Sequence, residues 1–267
     1  MAVLLTRGFP ERSLSYWTQA LVRLGDHPTP PDCPQYGYVL EVADRLVGVI
    51  LLIFTELPAD GTTIIRCNVS SWYVEAAYRG FASLLITFAT RKKNVTYVNI
   101  SPASHTRETI EMQGFTCYAR GQFYTLPILA PPARNVRVRA FQPGAASTDP
   151  DSEILAAHLK YDCLCVICET DGRTYPFVFL RRRVARTALP GVQLIYCRDA
   201  ADFRRFAGPL GWFLLKRGVP CVILNANGPT PGLVGRYFAG RSPKYYKGPH
   251  PPMLSDIAFT EMVLFGY

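Results

Sequence analysis

Between Ile64 and Val74 β-branched and aromatic residues dominate, which predicts a strand. From Phe81 the apolar residues Phe81, Leu84, Leu85, Phe88 and Ala89 recur at helical spacing, so the period changes from 2 to 3.6 within a few residues. Upstream, Leu14, Trp17, Leu21 and Leu24 form one apolar face, which predicts a helix that Ser13 can cap and Gly25 can stop. Tyr36–Val42 and Leu46–Leu57 read as a hairpin around Ala43-Asp44-Arg45, and Asp60-Gly61 turns the chain into the next strand. Downstream lie a strand in Val95–Pro102, a polar helix from about Thr106 to Gln113 capped by Gly114, and a strand over Thr116–Leu126.

The proline-bearing stretch Leu126–Asn135 has no periodicity and suits a linker or crossing segment. Beyond it the order restarts, with a strand at Val136–Phe141, a loop rich in Gly, Ser, Asp and Pro, and a helix from Asp151 to about Lys160. Strands Cys163–Glu169 and Tyr175–Arg182 turn at Asp171-Gly172, and Val192–Cys197 follows. A helix from about Ala201 to Arg217 points Phe203, Phe206, Leu210 and Leu214 inward, and Pro209 should bend or split it. Val219–Asn225 and Ile257–Phe265 read as strands. Between them, Asn227–Pro252 reads as a binding loop or as a helix over roughly Pro231–Gly240. The expected class is α/β (α+β), with domains at 1–130 and 131–267.

Between the strand and the helix of the opening stretch sits Tyr78-Arg79-Gly80-Phe81-Ala82-Ser83. A sharp turn with small residues at a helix start brings backbone N–H groups to one point, which is anion-site chemistry. The order V-x-x-x-Y-R-G-x-A-x-x-L-L resembles the acyl-CoA-binding motif of the GNAT superfamily of N-acetyltransferases. Gly80 and Ala82 match its last fixed positions, and Ala77 departs from the leading Gln/Arg. The strand at Val95, its loop, and the helix ending in Gly114-Phe115 are similar to a second GNAT signature. The resemblance implies a GNAT fold, a mixed, mostly antiparallel sheet flanked by helices, with an early first strand around Ala2–Thr6, and two tandem GNAT-like copies. The second copy would lack the pyrophosphate turn, since Cys197-Arg198-Asp199-Ala200 stands in its place.

What the resemblance implies for chemistry is transfer from acetyl-CoA or another acyl-CoA to an amine by direct attack in a ternary complex. The backbone of Trp72, Tyr73 and Val74 would pair with the donor's pantetheine arm, and the amides of Arg79, Gly80, Phe81, Ala82 and Ser83 would hold its pyrophosphate. The family's usual acid, a Tyr four residues before the Gly-Phe glycine, is replaced by Ile110. Candidate catalytic groups are then Glu75 at the strand end, Ser104 and His105 in the loop before the second helix, and Tyr118 after it. Glu41 and Glu56 are weaker candidates. Alternatives are a non-catalytic acyl-CoA-binding module and an aminoacyl-tRNA-dependent transferase.

Composition adds bounds. At 267 residues with 49% hydrophobic content the chain can bury a full core. No apolar run approaches membrane-spanning length, and the first residues do not read as a signal peptide, so a cytoplasmic location is expected. The net charge of +9 is uneven: residues 1–135 carry 12 basic against 10 acidic side chains, and 136–267 carry 17 against 10. Arg181, Arg182, Arg183, Arg186, Arg204, Arg205, Lys216, Arg217, Lys244 and Lys247 read as solvated surface, without a nucleic-acid motif. The expected partner is a small-molecule or protein amine; a homodimer is compatible with the chain. The eight cysteines read as buried thiols, including Cys165 and Cys168, which a strand puts on opposite faces. No metal site is expected.

Overall fold

The computed structural model describes residues 1–59, 61–144, 151–183 and 189–266. Asp60 of the expected turn, most of the loop after Phe141, and Arg186 lie outside the described residues. The chain divides by internal contacts into two compact units. The first comprises Met1–Cys117, Lys244–Pro251 and Phe259–Tyr267, and the second Tyr118–Pro243 and Pro252–Ala258.

The first unit opens with helices α1 (Ala2–Gly8) and α2 (Leu14–Gly25). The expected strand at Ala2–Thr6 is therefore a helix. Its short apolar run has no period of its own, and the turn is closed by Phe9 N–H to Leu5 O at 2.9 Å and by Thr6 Oγ1 to Ala2 O at 3.0 Å. Ser13 caps α2 as its sequence suggests, accepting from Tyr16 N–H at 3.2 Å. The buried face of α2 is Trp17, Ala20 and Leu24, with Leu14 exposed. Strands β1 (Gly37–Val42) and β2 (Arg45–Ala59) form the expected hairpin, with Ala43 and Asp44 at φ 47° and 59° supplying a left-handed two-residue turn. There follow β3 (Thr62–Val74), α3 (Ala82–Ala89), β4 (Val95–Asn99), α4 (Arg107–Met112) and β5 (Thr116–Thr125), which carries the chain into the second unit. Gly114, at φ 87°, ends α4 as expected.

The second unit contains β6 (Arg137–Ala140), α5 (Ser152–Leu159), β7 (Leu164–Thr170), β8 (Arg173–Arg183), β9 (Pro190–Tyr196), α6 (Ala200–Leu215) and β10 (Cys221–Ala226). Asp171 and Gly172, at φ 51° and 72°, make the expected turn between β7 and β8. Pro209 lies inside α6 without dividing it. Phe203, Phe206, Leu210 and Leu214 all pack into the core of this unit with Val166, Phe177 and Phe179. The stretch after β5 is no free linker: a 3-10 turn over Pro127–Leu129 packs against α6 where Gly211 leaves room for its backbone, and Gly208 does the same for the carbonyls of Ala130 and Pro131.

Two expectations for the last third fail. Pro231–Gly240 is not helical but leads into β11 (Gly235–Lys247), and Gly235 and Gly121 admit the close backbone approach of Tyr124 O and Phe238 O. Ile257–Phe265 is not a strand: Phe259 at φ 54° breaks the extended path, and α7 (Glu261–Leu264) buries Met262, Val263 and Leu264 consecutively, a pattern without period 2.

The strand order is β1-β2-β3-β4 and the end of β11 in the first unit, and β11-β5-β10-β9-β8-β7-β6 in the second. Among the described residues a parallel pair joined by a helical crossover occurs in each unit, β3-α3-β4 in the first and β9-α6-β10 in the second. Among the described residues no helix is long and apolar enough to cross a membrane.

Candidate functional site

The parallel pair of the first unit parts before its strands end. The β3–β4 ladder runs from Ile65 opposite Val95 to Asn68 opposite Val98, after which β3 continues to Val74 paired with β2 only. A bulge accounts for the parting. Against β2, Ser70 pairs with Leu51 and Tyr73 with Val49, so Ser71 and Trp72 together face Ile50, and Ser71 takes φ 46°. The buried Asn68 side chain spans the fork: its Nδ2 donates to Val98 O at 3.2 Å and Val69 O at 3.3 Å, and its Oδ1 accepts from Glu261 N–H at 2.7 Å.

A cavity of about 330 Å³ opens over this fork. Ser70, Ser71 and Trp72 from the bulge and Asn99, Ser101 and Thr106 from the end of β4 and beyond form one side. Phe9, Glu11, Arg12, Tyr16 and Trp17, with Glu261 and Phe265 of the C-terminal segment, also line the cavity. Glu261 is the first residue of α7, and its carboxylate accepts from Ser101 Oγ and also from Ser70. Burial pushes its pKa above the ordinary glutamate value; the two serine donors and the Lys244 ammonium oppose that shift without cancelling it. Lys244 was expected at the surface. It is instead 1% exposed, with Nζ donating to Ile100 O at 3.3 Å.

The turn after β3 is a 3-10 segment over Ala76–Phe81 that runs directly into α3. Arg79, Gly80, Phe81 and Ser83 are exposed, and a Cβ at Gly80 would meet nothing within 4 Å. The N–H of Ala82 already donates to Arg79 O, so this amide is engaged within the turn. Trp72 lines the cavity, the Tyr73 ring packs against Gly8 of α1, and Val74 is buried.

The sequence-derived catalytic candidates do not converge on the cavity. Glu75 is tied down by Arg7 at 3.1 Å and by Arg45, and it is absent from the cavity wall. Ser104 and His105 lie exposed on a 3-10 turn whose third residue, Thr106, does reach the cavity. Tyr118 belongs to the second unit, where its carbonyl accepts from Asn227 Nδ2 at 2.9 Å. Ile110 is 1% exposed, a core side chain packed with Leu85, Ile86 and Phe115. Residues that sequence reasoning missed are Asn68, Ser70, Ser71, Asn99, Ser101 and Glu261. The polar pair Ser70-Ser71 inside an apolar strand is the one signal that could have pointed to the bulge.

The second unit repeats the fork with a difference. Its β9–β10 ladder ends at Gln193 opposite Ile223, and the two strands run on to Tyr196 and Ala226. There the chain's own segment pairs with β9, with Ile257 N–H to Ile195 O at 2.8 Å and Cys197 N–H to Ser255 O at 3.1 Å. Asn225 Nδ2 adds a bond to Leu254 O at 3.0 Å. A cavity of about 210 Å³ remains beside it, walled by Leu194, Phe203, Leu224 and Leu254.

All eight cysteines are free, and in the second unit burial pushes the thiols of Cys163, Cys165 and Cys168 up to about 12. Among the described residues no group of His, Cys, Asp or Glu side chains is placed to hold a metal.

No family model and no curated protein matches the sequence. Among solved structures, the chain is similar to a GCN5-related N-acetyltransferase from Anabaena variabilis, with TM-score 0.59 and 9% identity over 92% of this chain and 68% of that one. It is also similar to a conserved protein from Enterococcus faecalis described as a probable N-acyltransferase, with TM-score 0.56 and 12% identity over the same shares. The chain therefore has the GNAT fold.

Proposed function

We propose that the chain is an acyl-CoA-dependent N-acyltransferase that passes an acyl group, acetyl in the first instance, to an amine by direct attack in a ternary complex. The observation that carries the reading is the fork of β3 and β4. Beyond Asn68 the β3 backbone has no β4 partner, and the bulge at Ser71 opens that stretch onto a 330 Å³ cavity. An extended donor arm can hydrogen-bond there as an added strand would. The names of the solved relatives support the same activity class.

The residues present fit a coenzyme A donor in part. Trp72, Tyr73 and Val74 lie where the β3–β4 ladder has ended, with Tyr73 and Val74 paired only to β2, and the open space at Gly80 on an exposed turn leaves room for a diphosphate beside Arg79 and Ser83. The bonded Ala82 amide contributes less than an open helix start would. Bound acyl-CoA would supply the activated thioester, while the fork and cavity hold donor and amine at reacting distance and exclude water. With all cysteines free, a reducing cytoplasmic location fits the chain, and a homodimer remains compatible with it.

Calorimetric titration with acetyl-CoA and longer acyl-CoAs tests the reading. Binding by the natural chain and its loss in Gly80→Glu support a donor site at this turn, because the new carboxylate would repel the diphosphate. Absence of binding to any acyl-CoA would overturn the assignment.

A further inference from the structure

Glu261 has its carboxylate held at the fork by Ser70 and Ser101. Its backbone N–H is fixed by Asn68, and its side chain is oriented by Ser101 and Ser70. These contacts come from β3, the segment after β4 and the C-terminal segment, so the carboxylate is positioned by packing and not by a flexible loop. Glu75, in contrast, is neutralised by two arginines outside the cavity. The groups acting on the Glu261 carboxylate are Ser70, Ser101 and Lys244 of β11, its backbone is held by Asn68, and Arg12, Glu11 and Tyr16 line the same cavity. The rest of the wall carries four aromatic rings, Phe9, Trp17, Trp72 and Phe265, among smaller side chains.

Resting on the acyltransferase reading, we infer that Glu261 is the general base of the reaction and the anchor of its acceptor, a small primary amine with an apolar or aromatic body that enters as the ammonium ion. A carboxylate among rings recognises an alkylammonium group by charge, and the rings receive the carbon skeleton. The Glu261 carboxylate takes one proton from the ammonium. The freed amine attacks the thioester carbonyl, a C–N bond forms and the C–S bond breaks. The attacking nitrogen loses its second proton, the coenzyme A thiolate takes one, and one proton is released per turnover. Burial favours this role by raising the proton affinity of Glu261 above that of an exposed glutamate, while the serine donors and Lys244 keep the charged form accessible.

The test is thiol release from acetyl-CoA with 2-phenylethylamine as acceptor, followed over pH, alongside calorimetric binding of acetyl-CoA. For the natural chain, kcat/KM should fall on the acid side along a limb lying above the 4.5 of an ordinary glutamate. Glu261→Gln, which keeps an acceptor for Ser101, should bind acetyl-CoA as before, lose about 100-fold or more in kcat/KM and lose the limb. Ser101→Ala removes a donor that stabilises the carboxylate, so the limb should move to higher pH. A Glu261→Gln rate within about threefold of the natural one would overturn the inference, and so would a limb that neither variant alters. A natural chain that binds acetyl-CoA but gives no thiol release with this amine also overturns it. Failure to bind acetyl-CoA at all would instead remove the acyltransferase reading on which it rests.

Discussion

The side-chain oxygen of Asn68 accepts a hydrogen bond from the backbone of Glu261 at 2.7 Å, joining positions 193 residues apart. The same amide group donates to Val98 O and Val69 O, and the residue is only 2% exposed. One side chain thus bridges the parting strands and seats the helix that carries the carboxylate. Asn68→Ala leaves the Glu261 N–H and the Val98 and Val69 carbonyls without this partner, so the expected cost is about 2–3 kcal/mol of unfolding free energy. A urea denaturation midpoint within experimental error of the natural one would contradict this account.

Glu75 presents the opposite case. Its partners Arg7 and Arg45 have side chains 59% and 60% exposed, so solvent screens both pairs. Glu75→Ala should lower stability by about 1 kcal/mol or less and leave acetyl-CoA affinity within about twofold. The same denaturation and calorimetric measurements check it, and a large loss of affinity would return Glu75 to the site.

His27 sets a pH dependence. It is 4% exposed, with Nε2 within 3.0 Å of both Phe54 O and Thr55 Oγ1. Burial lowers its pKa from 6.5, with the bond to Phe54 opposing in part, so below 6.5 the unfolded chain binds more protons than the folded one. Its contribution to stability is therefore complete above 6.5 and declines as pH falls toward the lower folded value. His27→Gln should reduce the difference between urea midpoints at neutral and mildly acidic pH; an unchanged difference would assign the acid sensitivity to other groups.

Gly211 is a packing position. A Cβ there would lie 2.2 Å from Ile128 N and 2.5 Å from Pro127 C, both backbone atoms. Gly211→Ala should cost about 3 kcal/mol by forcing α6 away from the 3-10 turn. Thermal unfolding that matches the natural chain would show that this contact yields without cost.

Much of the fold was legible where local chemistry decides it. Ala43-Asp44 and Asp171-Gly172 announce tight turns, Ser13 and Gly114 mark helix ends, and Phe203, Phe206, Leu210 and Leu214 share one face. The misread segments lack such signals. Ala2–Thr6 is too short to show a period. The residues after Pro231 are shaped by close backbone contacts at Gly235 and Gly121, and Met262–Leu264 are buried on every side. Of the expected donor-binding residues, Trp72 is the one that lines the cavity. Glu261 acquires its character from Asn68, Ser70, Ser101 and Lys244, which lie far off in sequence, and nothing in its immediate neighbours announces a buried carboxylate.

The pairing of Ser255 and Ile257 with β9 has a thermodynamic consequence. A free extended ligand seeking Ile195 O or Cys197 N–H in the second unit would compete with a tethered segment of the same chain, whose local concentration is on the order of millimolar. The duplicated fork is in effect a receptor supplied with a permanent ligand of its own, and doubling the architecture does not double the number of binding equilibria.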